Sequence, residues 1–168
     1  MEKCWIGIDN GVSGTIGVIS TDCDPEFFKT PAITVQDYTG KKKNVTRLDT
    51  LKFRDFLLEK KKKYGSALEI CCERPMVNPA LFKATESALR CFEAMWTVID
   101  LLALPVYFIP STDWQKKLLP EGTKGADALK KASLDIGNRL YPQFRDVKHP
   151  DRDGLLIALW MAKYNSIK

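Results

Sequence analysis

Two carboxylates stand where apolar, strand-like runs end. Asp9 follows Trp5-Ile6-Gly7-Ile8, and Glu73 follows Leu68-Glu69-Ile70-Cys71-Cys72. If those runs are neighbours in a sheet, their ends converge, and two desolvated anions side by side repel unless a cation or a proton neutralises them. Each acid alone reads equally well as a loop acid or a cap; together they point to a metal site. His149 and Asp153 extend the set. A separation of four at the start of a helical segment points both side chains the same way, and imidazole with carboxylate is a common ligand combination. A lone histidine is more often structural, so His149 draws its weight from these neighbours. Asp151 competes for the same role: it lies on another helix face from Asp153 unless the helix starts later and Asp151 caps it.

The elements that must position these residues follow from apolar spacing and turn signals. Cys4-Trp5-Ile6-Gly7-Ile8 and Thr15-Ile16-Gly17-Val18-Ile19, separated by the Gly11 and Gly14 turn, read as a hairpin. Ala32-Ile33-Thr34-Val35 is expected as the third antiparallel strand, followed by the solvated basic turn Gly40-Lys41-Lys42-Lys43-Asn44. Thr46 and Asp49 signal a helix over about 47–63, and the run ending at Glu73-Arg74-Pro75 reads as a central strand. A helix over about 84–102 carries Ala84, Ala88, Cys91, Met95, Val98 and Leu102 on one stripe. That stripe either packs on the domain's own sheet or forms a dimer seam. Val106-Tyr107-Phe108-Ile109 is the next strand. Ser111 or Thr112 caps a short helix through Trp114 and Leu118, and further helices are expected over about 126–141 and 153–163. Three antiparallel strands followed by strand–helix alternation give an α/β fold with one mixed five-stranded sheet flanked by helices.

Composition narrows the class. With 168 residues, 45% apolar and 28% charged, residues 1–168 make one domain's worth of globular protein without repeats or a linker, which excludes disordered and low-complexity chains. Five cysteines without a CxxC pair, mostly inside apolar runs, suit a reducing compartment. The chain runs from Met1 straight into a strand-like segment, and no apolar stretch approaches the ~20 residues that cross a bilayer, so an intracellular, cytoplasmic protein without membrane contact is expected. A net charge of +5 is compatible with a polyanionic partner and specifies none.

The whole set resembles the RuvC-like Holliday junction resolvases of the RNase H-like superfamily, most closely the phage and chloroplast branch. The resemblance rests on Gly7-Ile8-Asp9-Asn10-Gly11-x-x-Gly14, Glu73-Arg74-Pro75, Pro110-Ser111-x-x-Trp114-Gln115-Lys116, and the closing Lys148-His149-Pro150-Asp151-Arg152-Asp153-Gly154-Leu155-Leu156-Ile157-Ala158. The order and spacing of these motifs cover nearly the full chain. Two departures stand in the last motif: Pro150-Asp151-Arg152 replaces a more usual Gly-Arg-Ala, and Gly154 stands where alanine is common.

The resemblance implies an RNase H-like nuclease domain and two Mg²⁺ ions, with Mn²⁺ able to substitute, held by Asp9, Glu73, His149 and Asp153, with Asp151 as the alternative fourth ligand. It further implies metal-dependent phosphodiester hydrolysis of branched DNA, in particular four-way junctions, by a homodimer making symmetric nicks. Source remains open between a phage-encoded protein acting in its host's cytoplasm and an organelle protein. Arg74, Phe82, Lys83, Lys124 and Lys148 flank the motifs and are the candidate DNA contacts, among scattered basic residues that include Lys130 and Arg152. Phe82 is either a wedge into an opened junction or a core aromatic. Three rival functions stay open: a branch or flap nuclease of broader specificity, a catalytically silent junction-binding protein, and an ATPase lobe of the actin-like or sugar-kinase type. For the last, Asp9-Asn10-Gly11-x-x-Gly14-Thr15 would be the phosphate loop.

Overall fold

The computed structural model describes residues 2–39 and 43–165. In chain order the strands are β1 (Cys4–Ile8), β2 (Thr15–Ser20), β3 (Glu26–Lys29), β4 (Ala32–Gln36), β5 (Asn44–Leu48), β6 (Leu68–Glu73) and β7 (Val106–Ile109). The helices are α1 (Thr50–Tyr64), α2 (Phe82–Leu101), α3 (Ser111–Leu118), α4 (Ala126–Leu140) and α5 (Asp153–Trp160), the last continuing as a π-helical turn over Met161–Asn165. Five strands form one sheet in the order β3-β2-β1-β6-β7. β1, β2 and β3 pair antiparallel; β1, β6 and β7 pair parallel. This is the mixed, helix-flanked sheet expected from the strand order. None of the described helices is long and apolar enough to cross a membrane.

The third strand is a correction. Glu26–Lys29 pairs with β2, whereas Ala32–Gln36 pairs only with Asn44–Leu48 in a separate two-stranded ribbon. Ala32, Ile33 and Thr34 are exposed, so their β-prone pattern reflects a ribbon standing clear of the core; the sheet edge is instead filled by the buried Phe27, in a strand that begins with Glu26 and ends with Lys29. Asn44 therefore opens a strand rather than closing a turn, and Gly40, Lys41 and Lys42 of the expected basic turn lie outside the described residues. Helix α1 correspondingly starts later than expected, with Asp49 as its cap accepting from the Lys52 N–H. At α3 the cap position is Pro110 and neither Ser111 nor Thr112 makes a capping bond.

Strand alternation sends Cys4, Ile6 and Ile8 to one face of the sheet, where they pack with Phe53 and Leu57 of α1 and with Cys91, Met95 and Val98 of α2. The α2 stripe is thus core, and its seam reading is overturned for these three residues. Trp5 and Cys71 point to the other face, against Trp114, Ile136, Leu156 and Ile157 of α3, α4 and α5. On this second face the sheet has glycines side by side: Gly7 and Gly17 are register partners. A Cβ on Gly7 would lie 2.2 Å from both the Ala158 nitrogen and the Gly154 oxygen, and one on Gly17 would lie 2.3 Å from Leu155 Cα. Helix α5 therefore rests on strand backbone. Gly154 is held equally closely, since a Cβ there would meet the Thr15 oxygen at 2.6 Å. The alanine usual at that place in the resembling family has no room here.

These contacts are backbone to backbone, so no rotamer change relieves an added methyl. Gly7→Ala should destabilise the protein by about 2 kcal/mol or more, read as a lowered urea midpoint at unchanged slope. A Gly7→Ala protein that melts like the wild type would mean that α5 does not rest on β1.

Candidate metal centre

Asp9 continues β1 by one residue on the face that carries Trp5 and Gly7, which is the face covered by α5. Its backbone N–H donates to the Thr15 oxygen at 2.9 Å, holding it in line with the strand pair. The turn beneath it is tight: Gly11 has φ +145°, and a Cβ on Gly14 would fall 2.2 Å from the Asp9 oxygen. Glu73 ends β6 on the same face, one step beyond the Ile8–Cys72 register pair. Parallel pairing of β1 with β6 thus brings the two acids to one end of the sheet.

Asp151 and Asp153 arrive from the turn into α5. The turn is built around Arg152, which is fully buried. Its guanidinium donates to the carbonyl oxygens of Asp151 (2.8 Å), Phe144 (2.8 Å), Val147 (3.0 Å) and His149 (3.3 Å), and to Asn138 Oδ1 (3.1 Å). It also stacks 5.0 Å from the ring centre of Phe27, the β3 residue that contacts Phe144 and His149. Arg152 is thereby unavailable to phosphate, contrary to its place among the candidate basic contacts. Its backbone N–H donates to Ser133 Oγ, and the Asp153 N–H donates to Asp151 Oδ1 at 3.3 Å.

The outcome is a cluster of three carboxylates, Asp9, Asp151 and Asp153, each offering an oxygen within 4.8 Å of the others. Glu73 borders them, and its charge acts on both Asp9 and Asp153. Glu73 Oε2 accepts a 2.7 Å hydrogen bond from the Trp114 indole N–H. His149 is placed differently from the three aspartates. Its Nε2 faces the Ser13 carbonyl oxygen at 3.1 Å, while Nδ1 accepts from the Asp151 backbone N–H at 3.4 Å and lies 3.3 Å from Asp151 Oδ1. Both ring nitrogens are engaged by the protein.

Burial pushes the Asp9 carboxyl well above the ordinary range, with the charges of Asp153, Glu73 and Asp151 adding to it. Burial, followed by Asp151, pushes Asp153 up to about 7. Glu73 is raised by burial and drawn back by the Trp114 hydrogen bond. Lys130 of α4 is a cation whose field lowers both Asp9 and Asp153. Asp153 Oδ1 is buried with no hydrogen-bond partner among the described residues. A crowded, desolvated set of oxygen donors with an orphaned carboxylate oxygen fits a hard divalent cation such as Mg²⁺ or Mn²⁺.

Arg74, Phe82, Lys83, Lys124 and Lys148 are all exposed. Arg74 follows Glu73 directly and lines a cavity of about 270 Å³ with Asn10, Met76, Leu81 and Thr85. Phe82, 71% exposed, lies outside the core, as do the exposed Met76 and Leu81. Two features escaped the sequence. Trp114 reads there as a helix position within the Pro110–Lys116 motif with no link to Glu73, and Lys130 is one basic residue among many. A polar edge on an aromatic beside a strand-end acid is the signal that marks the first; nothing in the spacing marks the second.

No family model and no curated protein matches the chain. Its strand order and helix placement are those of the RuvC and RNase H-like fold. Among solved structures, Thermus thermophilus RuvC in complex with a Holliday junction substrate is similar at a TM-score of 0.60 and 16% identity, covering 97% of this chain and 94% of that one. A further Thermus thermophilus RuvC structure is similar at 0.56, also at 16% identity, over 97% of this chain and 95% of that one. The likeness is one of fold and does not single out the phage and chloroplast branch.

The raised carboxyls carry a linkage consequence. Between the ordinary value of 3.8 and about 7, folded Asp153 keeps a proton that the unfolded chain releases, so metal-free stability falls as pH rises across that window and levels off above it. In EDTA the wild type should lose a few degrees more of melting temperature between pH 5 and pH 8 than Asp153→Asn does. Mg²⁺ or Mn²⁺ should raise the wild-type melting temperature more at pH 8 than at pH 5, because the ion replaces protons. A metal effect independent of pH would place the ion away from these acids.

Proposed function

We propose that this chain is a metal-dependent endonuclease that resolves four-way DNA junctions by symmetric nicking as a homodimer. The observation that carries the proposal is the cluster of Asp9, Asp151 and Asp153 at the end of the parallel strands, in a fold shared with a RuvC structure that holds a Holliday junction. Asp9, Glu73 and Asp153 are the metal carboxylates, and Asp151 takes the fourth place in preference to His149, whose ring is occupied by Ser13 and Asp151. His149 orients Asp151 and ties it to the turn beneath Asp9.

Bound divalent ions would supply an activated water and charge stabilisation for the leaving 3′ oxygen. The protein's own contribution is placement. Asp9 and Glu73 are fixed by strand register, Asp151 and Asp153 by the Arg152-centred turn, and Lys130 offers a positive charge where a scissile phosphate meets the acids. Arg74, Lys83, Lys124 and Lys148 contact backbone phosphates further out. Phe82, with Met76 and Leu81, presents an apolar rim to the unstacked bases at a junction centre.

Cleavage of a labelled four-way junction in Mg²⁺ tests these roles. Asp9→Asn, Glu73→Gln and Asp153→Asn should each reduce cutting by about 10³-fold or more while leaving junction binding equal or tighter, since each removes a negative charge facing phosphate. Asp151→Asn should cost more than His149→Ala; the reverse order would return the fourth place to His149. Affinity for the junction should fall steeply with salt and exceed that for plain duplex. Equal cutting of junction, flap and RNA–DNA hybrid would replace the junction reading with a broader branch nuclease.

The dimer seam proposed for α2 falls on its outer side. Leu101 is 81% exposed, and with Leu51 of α1, 62% exposed, it borders an apolar groove of about 640 Å³ between the two helices. Leu101→Glu should yield a folded monomer in sedimentation, whereas Met95→Glu, in the core, should unfold the protein. A wild type that stays monomeric while cutting symmetrically would contradict the dimer.

A further inference from the structure

Trp114 is a fully buried tryptophan whose only polar atom is spent on a carboxylate of the centre. Its helix, α3, begins directly after β7, and β7 pairs parallel with β6 so that Ile109 stands opposite Glu73. The Arg74 N–H donates to the Ile109 oxygen at 2.8 Å, continuing the ladder past the acid and fixing its backbone. Four residues beyond Pro110, the indole lies under the Glu73 side chain, packed with Cys71, Ile109, Leu119 and Leu156. The Nε1–H reaches Oε2 at 2.7 Å, a short bond of the charge-assisted kind. A second indole on the same face makes the same kind of contact two layers below: Trp5 Nε1–H donates to Glu69 Oε2 at 3.0 Å. Glu69 is four residues back along β6, away from the acid cluster.

We propose that Trp114 is a positioning residue for the metal centre: its indole N–H fixes one oxygen of Glu73 so that the other is presented to the cation. The inference rests on the reading of Glu73 as a metal carboxylate. A carboxylate at a strand end has two freely exchanging oxygens and a rotatable terminal bond. A rigid donor held by the core removes that freedom before metal arrives, and groups that orient a ligand in this way are typically worth about 10–100-fold in metal affinity. Tryptophan suits the task because it is donor-only and cannot itself compete for the ion.

The test is Mn²⁺ binding to the purified protein, followed by calorimetry, together with the indole ¹H–¹⁵N resonance of Trp114. Trp114→Phe should weaken Mn²⁺ binding by about tenfold. Leu119→Ala, a truncation in the same cluster, should leave affinity unchanged although it also loosens the core. Where Trp114→Phe fails to fold, a benzothiophene analogue of tryptophan at position 114 keeps the shape, lacks the N–H and should show the same loss. The Trp114 indole resonance should move on Mg²⁺ addition in the wild type and stay still in Glu73→Gln. Wild-type Mn²⁺ affinity in the analogue-bearing protein would overturn the positioning role. Wild-type affinity in Glu73→Gln would instead remove Glu73 from the centre, and with it the reading on which the role rests.

Discussion

No side chain separates helix α5 from the sheet where Gly7, Gly17 and Gly154 meet, and this close approach is what the site depends on. A helix resting on side chains would sit several ångströms further out, and its first residue could not reach an acid at the end of the central strand. With the glycines in place, Asp153 starts α5 directly beside Asp9. The Gly154 N–H donates to the Thr15 hydroxyl at 3.0 Å, which locks the helix start to the strand that follows the Asp9 turn. Backbone contact therefore sets the spacing of the two acids.

Bringing several carboxylates together without solvent is unfavourable, and the fold meets the cost by over-determining each of them. Asp9 is held by strand pairing and the Gly14 turn, Glu73 by Trp114, Asp151 by His149, and Asp153 by the helix start. None of these supports neutralises the cluster, and Lys130 approaches only as a surface charge. The protein is built to hold anions in place while leaving their charge unmatched, which is the condition under which a divalent cation binds and proton uptake competes with it.

Much of this arrangement was legible from residue types. The two strand-end acids stand out because Asp9 and Glu73 follow runs of buried apolar residues, and alternation with parallel pairing carries them to one edge. The stripe on α2 was equally plain, but periodicity left it open between core and dimer seam until Cys91, Met95 and Val98 were seen packed on the sheet. What escaped were features that need three dimensions. Glu26-Phe27-Phe28-Lys29 is too short and too charged to announce an edge strand, yet Phe27 underlies the Arg152 turn. The contact of the His149 ring with the carbonyl oxygen of Ser13, far away in sequence, is announced by no spacing. Arg152 looked like a surface base because arginine is rarely buried, and only its set of carbonyl partners explains why it is.

The Arg152 turn also changes how the site comes apart. Residues 141–151 form an irregular, largely polar segment of the sort that ordinarily opens on its own, well below the free energy of global unfolding. Here four of its carbonyls close on one guanidinium rooted at the start of a helix buried from Gly154 to Leu159. Opening the segment alone would strand a buried cation, a loss of about 3–5 kcal/mol. Amide hydrogens in this stretch and those of α5 should accordingly exchange as one cooperative unit, with the turn opening only when the core around Arg152 does.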